Sequence, residues 1–503
     1  MLLIFPPVAK ACEPPAGIAK LAGALSAHGL PCTVLDANLE GLLSLAQQPQ
    51  PPSDTWTRRA VKNLPANIAA LRAPQTYRSF DRYSRAVRDV NRVLAASARA
   101  SGATLSLADY HHAQLSPVRS ADLIASAEHP ERNPFYGYFS KRLREILDDP
   151  LVGFSLNYLS QALCTFAMIG CVRKELPGAK IVLGGSLVTS WTKRPRWKNT
   201  FAGLVDHLIA GPGEGALLDL LGVKDLKPNR HTPDYASLPL QQYLAPGVIL
   251  PYSGSSGCFW HNCSFCPEGT EDNPYVPVPP AQAMADMNAL ISKTKPALVH
   301  LLDNAISPAL MRALLEKPLG VPWYGFARIG RELADLDYCI ALKHSGCVML
   351  KLGLESGDQA VLDRLRKGID LATASQALEN LRKAGIATYV YLLFGTPPET
   401  AQTAQKTLEF VVRHRDAISF LNLAVFNMPV CGDEAGEYET EQFYAGDLSL
   451  YTGFRHPHGW DRNLVRRFLD KEFKRHPAVA AIVKNDPPVF TSNHAAFFAP
   501  LVK

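Results

Sequence analysis

Three cysteines fall within nine residues, Cys258, Cys263 and Cys266, in the stretch Ser255-Ser256-Gly257-Cys258-Phe259-Trp260-His261-Asn262-Cys263-Ser264-Phe265-Cys266-Pro267-Glu268. Any fold of this chain has to hold those thiols on one short loop. The loop follows the apolar run Val248-Ile249-Leu250, so it sits where a strand ends, the face at which parallel barrels carry their catalytic loops. Three thiolates can hold three irons of a four-iron cubane and leave the fourth iron open for chemistry. A structural zinc site would be closed by a fourth protein ligand. The remaining cysteines, Cys12, Cys32, Cys164, Cys171, Cys339, Cys347 and Cys431, are scattered and form no second Cys-x-x-Cys pair. A zinc knuckle or buried free thiols are the plainer alternatives, set against the rule that cysteine clusters in intracellular enzymes are usually metal or catalytic sites.

Beyond the cysteines the pattern alternates. Strands are expected at 298–302, 323–326, 348–352, 388–393 and 418–421, and helices near 280–294, 308–315, 334–344, 360–366, 371–384 and 400–413. This rhythm predicts a partial parallel barrel of about six strand–helix units. Upstream, the apolar run 2–5 ends at Pro6-Pro7, an amphipathic stretch Ile18 to His28 opens after Pro14-Pro15 and closes at Gly29, and a strand 32–35 ends at Asp36. That unit opens a parallel, doubly wound α/β sheet, with proline before and glycine after the helix. Helical patterns fill most of 40–148, and strands return at 152–156, 181–186 and 205–209.

Five hundred and three residues suggest two or three domains, and ten irregularly spaced cysteines argue for a reducing compartment rather than a disulfide framework. The start Met1-Leu2-Leu3-Ile4-Phe5-Pro6-Pro7 is too short and lacks the basic region of a signal peptide. No apolar run reaches a membrane-spanning length, so a soluble cytoplasmic protein is expected. Residues 51–100 hold ten Lys or Arg against three Asp or Glu, enough to account for the net charge of +6. Tyr83, Val87, Val90 and Leu94 fall on one helical face, while Arg78, Arg82, Arg85 and Arg92 fall on another. The solvated side of an amphipathic helix is favoured over a nucleic-acid surface, and no nucleic-acid partner is expected.

The cysteine stretch resembles the cluster loop of the radical S-adenosylmethionine (SAM) enzymes. In that family the spacing is Cys-x3-Cys-x2-Cys with an aromatic residue before the last cysteine. Phe265 supplies the aromatic, and the first gap here holds four residues. The resemblance covers roughly 245–425 and implies a [4Fe-4S] cluster on Cys258, Cys263 and Cys266. It also implies SAM bound through its amino and carboxylate groups, reductive cleavage to a 5′-deoxyadenosyl radical, and an electron donor such as flavodoxin or ferredoxin. By resemblance, Asp303 and Asn304 stand where the family contacts the SAM amino group, Arg328 follows the next strand, and Glu355 and Ser356 stand at the ribose or methionine position. Gly395 opens the Gly395-Thr396-Pro397-Pro398-Glu399 turn near adenine. Phe259, Trp260 and Phe265 would shield the cluster.

Residues 1–45 and 150–220 resemble the cobalamin-binding domain that precedes the barrel in one subgroup. The matching pieces are Pro6 and Pro7, the Pro14–Ile18 stretch, Asp36 with Asn38, Gly184-Gly185-Ser186, and Gly211-Pro212-Gly213-Glu214. This implies cobalamin as a further cofactor. The Asp-x-His-x-x-Gly loop that supplies a cobalt ligand in other cobalamin proteins is absent, and Asn38 stands in place of histidine in a similar outline after the second strand. The expected organisation is thus a Rossmann-like domain at 1–222 with a helical insertion near 45–148, a linker at 223–247, the barrel at 248–428 and an extension at 429–503. The extension, with His456, His458, Trp460 and Asn493, is expected to fold over the open side of the barrel. His456 and His458 are read as surface or substrate-pocket histidines rather than a metal pair. The resemblance implies methylation or rearrangement of an unactivated carbon in an unidentified substrate, with no residue assigned to catalysis. The alternatives are a radical SAM enzyme without cobalamin acting on RNA or another macromolecule, and a non-enzymatic zinc-binding scaffold.

Overall fold

The computed structural model describes residues 1–48, 54–146, 150–224, 231–432, 434–442, 445–487 and 491–500. The chain divides into two compact units, one holding residues 1–248 with a short return segment at 445–450, the other most of the remainder.

In the first unit β1 (Leu2–Phe5) is buried throughout, as a central parallel strand must be. It is followed by α1 (Ala16–Ala27), β2 (Thr33–Asp36) and α2 (Ala37–Ala46). The insertion holds α3 (Thr55–Lys62), α4 (Leu64–Arg72), α5 (Phe80–Ala98), α6 (Ser120–Glu128) and α7 (Tyr136–Ile146). Helix fills most of the insertion, as expected, with one interruption. A hairpin, β3 (Ala103–Leu105) with β4 (Tyr110–His112), follows α5, where the Ser106 amide closes a turn on the Asp109 carbonyl at 2.9 Å. Residues 49–53 and 147–149 of the insertion lie outside the described residues. The sheet resumes with β5 (Leu151–Ser155), α8 (Leu159–Glu175), β6 (Lys180–Gly184), α9 (Ser186–Thr192), β7 (His207–Ile209) and α10 (Gly213–Leu220). Its order is β2-β1-β5-β6-β7, all parallel, so helices cover both faces of a doubly wound sheet.

The stretch expected as a linker, 223–247, is packed into this unit over its described part, 223–224 and 231–247; Pro228 lies outside the described residues. Its backbone finds partners there: Asp234 N–H donates to the Ala19 carbonyl and Leu244 N–H to the Ala11 carbonyl, each at 2.8 Å. Gly23 of α1 permits the approach, since a Cβ there would lie 2.2 Å from the Thr232 carbonyl oxygen.

The second unit opens with β8 (Ile249–Tyr252). The two-residue strands β9 (Ser255–Ser256) and β10 (Val276–Pro277) pair across a loop that contains α11 (Pro267–Thr270). Then come α12 (Pro280–Thr294), β11 (Leu298–Leu301), α13 (Pro308–Glu316), β12 (Trp323–Ala327), α14 (Leu336–His344), β13 (Cys347–Glu355), α15 (Gln359–Arg364), α16 (Leu371–Lys383), β14 (Ala387–Phe394), α17 (Ala401–Arg413) and β15 (Phe420–Val425). The six long strands form one parallel sheet in the order β15-β14-β13-β12-β11-β8, whose end strands do not pair with each other, a partial barrel. The last strand starts two residues later than expected because Arg415–Ala417 forms a 3-10 turn. The C-terminal part adds β16 (Met428–Pro429), α18 (Glu434–Glu437), β17 (Thr440–Glu441), β18 (Tyr451–Phe454), α19 (Arg462–Phe468), α20 (Pro477–Lys484) and α21 (Thr491–Ala496). It packs at the β15 edge, where the Arg462 guanidinium donates to the Phe426 carbonyl at 3.3 Å and to Asn427 Oδ1 at 2.7 Å. Among the described residues no helix is long and apolar enough to cross a membrane.

Candidate functional site

The cysteine loop leaves the C-terminal end of β8 and is tied down at both ends. Asp303, just past β11 and 2% exposed, accepts from the Gly254 amide at 2.9 Å and the Ser255 hydroxyl at 2.6 Å. Burial raises the Asp303 carboxyl, and these two bonds oppose the shift. Asn304 donates to the Gly257 carbonyl at 3.4 Å. Gly257 has φ +70°, and a Cβ on it would stand 2.5 Å from the Pro274 carbonyl oxygen. The β9–β10 pair thus closes the loop just outside the three cysteines.

Across the barrel mouth the loop meets the segment after α15. Ser264 N–H donates to the Leu365 carbonyl at 3.1 Å and the Trp260 indole to the Arg366 carbonyl at 3.2 Å. The Arg328 guanidinium lies 3.6 Å from the Trp260 ring centroid and donates to the carbonyls of Lys367 and Gly368. Gly368 is required here, because a Cβ would fall 2.3 Å from the Trp260 ring. Lys367 Nζ pairs with Glu355 Oε1 at 2.8 Å, both largely buried, and lies 5.5 Å from the Phe265 ring. That pair sits over Gly353, where a Cβ would be 2.6 Å from Glu355 Oε1 and 2.8 Å from Lys367 Nζ. Glu355 itself has φ +69°, a strained conformation for a residue with a side chain.

All three cysteines are free and half-buried. Burial raises the Cys263 thiol, opposed by the nearby charges of Lys367 and Arg328, and raises the Cys266 thiol to about 11, opposed by the Glu268 amide. Two cations beside the loop favour an anionic, sulfur-rich group there. Among the described residues no group of three or more His, Cys, Asp or Glu side chains is arranged to hold a metal ion. The three thiols of the loop fit a cluster that keeps one iron open.

In the cysteine loop and the turn after β14, four buried polar atoms have no hydrogen-bond partner among the described residues: His261 Nδ1, Ser264 Oγ, Thr396 Oγ1 and Glu399 Oε1. Two belong to the cysteine loop and two to the turn after β14. Unsatisfied buried groups of this kind mark where a polar ligand takes over. In the turn, Gly395 has φ +77°, and its amide and the Trp460 indole, the latter at 2.9 Å, both donate to Glu399 Oε2. Burial raises the Glu399 carboxyl to about 7 despite these two bonds. His456 is committed to structure: Nε2 faces the Thr396 carbonyl at 2.9 Å, and Nδ1 accepts from the His458 and Trp460 amides at 3.2 and 3.3 Å. Ser356 is fully buried, accepts from the Asp358 amide at 3.1 Å and faces the Thr407 hydroxyl at 3.4 Å.

Sequence reasoning missed a second cluster in this unit. Lys351 Nζ stands 3.1 Å from His300 Nε2, and the His300 ring stacks on Tyr324 at 4.3 Å, all three buried. The available signal was a lysine in the otherwise apolar run 348–352.

In the first unit the residues singled out from the sequence divide into two sets. The Pro6 carbonyl accepts from the Gln161 amide at 2.7 Å. Asp36 caps α2 through the Leu39 amide at 2.9 Å and accepts from the Tyr243 hydroxyl at 2.6 Å. Asn38 Oδ1 accepts from the Ala9 amide at 2.8 Å. Gly185, at φ +112°, permits a backbone crossing in which a Cβ would lie 2.3 Å from the Leu156 carbonyl oxygen. Pro7, like Pro6, is buried after β1. Gly184 and Ser186 stay at the ends of β6 and α9, where Ser186 N–H meets Asn157 Oδ1 at 3.1 Å and Asn157 in turn reaches the Ser155 hydroxyl at 3.0 Å. This exposed polar corner at the C-terminal strand ends suits a ligand, whereas the first set is used up in packing.

Residues 252–411, about a third of the chain, match the family model described as "Radical SAM superfamily". The fold is similar to that of the radical S-adenosylmethionine methyltransferase TsrM from Kitasatospora setae, solved with cobalamin and a [4Fe-4S] cluster bound. The TM-score is 0.50 at 14% identity, over 85% of this chain and 75% of that one. Among curated proteins, the chain is 24% identical over 294 residues to the anaerobic magnesium-protoporphyrin IX monomethyl ester cyclase of Rubrivivax gelatinosus, 54% of this chain and 50% of that one. It is 23% identical over 186 residues to an uncharacterized methyltransferase of Pyrococcus horikoshii, 35% of this chain and 40% of the relative. The chain spans half or less of the length of these curated relatives.

Proposed function

We propose that the protein is a radical SAM enzyme that cleaves SAM reductively at a [4Fe-4S] cluster on Cys258, Cys263 and Cys266, and that it methylates or rearranges an unactivated carbon with the help of cobalamin in its first unit. The observation that carries this reading is the pinned three-cysteine loop at the end of β8, facing the Glu355–Lys367 pair and Arg328, within the stretch that matches the radical SAM model. Bound there, the cluster supplies the single electron that breaks the sulfonium bond of SAM and yields the 5′-deoxyadenosyl radical. Asp303 holds the root of the loop, and Phe259, Trp260 and Phe265 keep water from the sulfurs. Glu355, Thr396 and Glu399 present polar groups for the amino-acid, ribose or adenine parts of SAM, and an external reductant such as flavodoxin or ferredoxin delivers the electron.

Cobalamin is supported by the shared fold and by the polar corner at Gly184, Asn157 and Ser186. Residues 6–15, the loop after β1, contain no histidine, so that loop offers no imidazole to the cobalt. Pro6, Pro7, Asp36, Asn38 and Gly185 shape the platform rather than touch the ligand. The named relatives include a cyclase and a methyltransferase, so both outcomes are in scope.

The test is anaerobic purification from cobalamin-fed cells with iron, sulfide and cobalt measured on one sample. About four irons with sulfide and one cobalt per chain is the expected result. Zinc without sulfide would sink the reading. Iron and sulfide without cobalt would remove cobalamin and leave SAM cleavage standing.

A further inference from the structure

We infer that the basic face of the helical insertion, built from α3 and α5, binds single-stranded nucleic acid. This goes beyond the SAM chemistry above and does not depend on it. Arg82, Arg85, Arg88 and Arg92 of α5 are all exposed and, at 3.6 residues per turn, fall within about a third of the helix circumference over a rise of about 15 Å. Arg58, Arg59 and Lys62 of α3 and Arg78 before α5 extend the same charge and are exposed too.

A basic helix that merely stays solvated normally interleaves opposite charges that pair at i,i+3 or i,i+4. Here Asp81 and Asp89 stand four residues either side of Arg85, yet among the described residues neither forms an ion pair, and none of these eight cations has a carboxylate partner. Asp89 is occupied by the Asn67 amide at 3.4 Å. Asp54 caps α3 through the Thr57 amide and hydroxyl, with Arg92 acting on it only at longer range. Arg88 Nε reaches the Ser84 carbonyl, which leaves its charge uncompensated.

Beside this stripe Trp56 is 65% exposed, the most exposed of the large apolar side chains, and the Arg92 guanidinium lies 6.0 Å from its ring. Seven of the eight cations are arginines, whose planar fork suits phosphate better than a lysine point charge does. A flat exposed indole next to phosphate-binding guanidinia is the arrangement that stacks unpaired bases. A lipid surface is disfavoured, because the apolar side of α5 is already spent: Tyr83, Val87, Val90 and Leu94 are each at most 1% exposed.

The test is fluorescence anisotropy of the full-length protein with a labelled unstructured 20-nucleotide RNA, and the same sequence as DNA, at 50 to 200 mM KCl. Binding to either strand that weakens linearly in log salt is expected. The triple variant R82E/R85E/R92E should bind at least tenfold more weakly with a shallower salt slope. W56A should lose about tenfold in affinity with its slope unchanged, since stacking releases no counterions. No binding at 50 mM KCl would overturn the proposal. So would binding that W56A leaves intact, or that polyglutamate displaces as well as unlabelled RNA does, because either marks an acidic-protein surface or bare charge. Should the triple variant misfold by circular dichroism, W56A and the competition decide.

Discussion

Asp36 and Glu399 are both buried acids near the C-terminal end of a parallel strand, both raised by burial, to about 6 and about 7. They differ in what answers them. Asp36 has both oxygens satisfied, by the Leu39 amide and the Tyr243 hydroxyl. Glu399 gathers two donors on one oxygen and leaves the other buried without a partner, close in sequence to an equally unsatisfied Thr396 hydroxyl. The first arrangement is a finished piece of scaffold and the second is incomplete without a ligand. The contrast extends across the units: the second keeps four unanswered polar atoms in its cysteine loop and its turn, while most of the residues picked from the first are already used by the fold.

The largest expected effect is at the cysteines. Replacing Cys258, Cys263 or Cys266 with Ala should drop iron and sulfide to background and abolish SAM cleavage, whereas Cys164→Ala, in the buried core of α8, should leave metal content unchanged. Next is Lys367→Met. It strands Glu355 as a buried charge and should cost about 3–5 kcal/mol in urea unfolding, more than any single change at Asp36.

The two acids themselves separate by pH. Each has a folded pKa raised above its unfolded value, so its contribution to stability is full below the unfolded value and lost as pH rises through the folded one. For Glu399 that window runs from about 4.5 to about 7, and for Asp36 from about 3.8 to about 6. Glu399→Gln should remove a fall of a few kcal/mol across its window and Asp36→Asn one across the lower window, read from Tm against pH. Smaller still, Thr396→Val removes an unsatisfied hydroxyl and should stabilise the ligand-free protein by about 1 kcal/mol while weakening SAM binding in calorimetry. Tyr243→Phe should have a comparable effect of opposite sign, about 1 kcal/mol destabilising, with SAM affinity unchanged. If Thr396→Val leaves SAM affinity unchanged, the contrast between finished and unfinished strand ends fails.

Much of this was legible in the chain. Each strand–helix unit of the barrel carries its own apolar period and caps, such as Ser307 before α13 and Asp370 before α16, so the six units read out locally. The cysteine loop was legible because its chemistry is written within nine residues. The hairpin at 103–112 was lost because two three-residue strands between long helices give too short an alternation to notice. The segment 231–247 read as a linker because its prolines break helices, although its backbone is paired into the first unit.

By itself, then, the sequence determined the strand–helix order of the two parallel sheets and the three thiols at a strand end, since each depends on residues close together in the chain. Only the tertiary structure decided which polar residues are left for a ligand. Tyr243 answers Asp36 from 207 residues away and Trp460 answers Glu399 from 61, while no described residue answers Glu399 Oε1. Hydrogen-bond satisfaction belongs to the packed whole, because a donor's partner is set by which surfaces meet in space rather than by the spacing of residues along the chain.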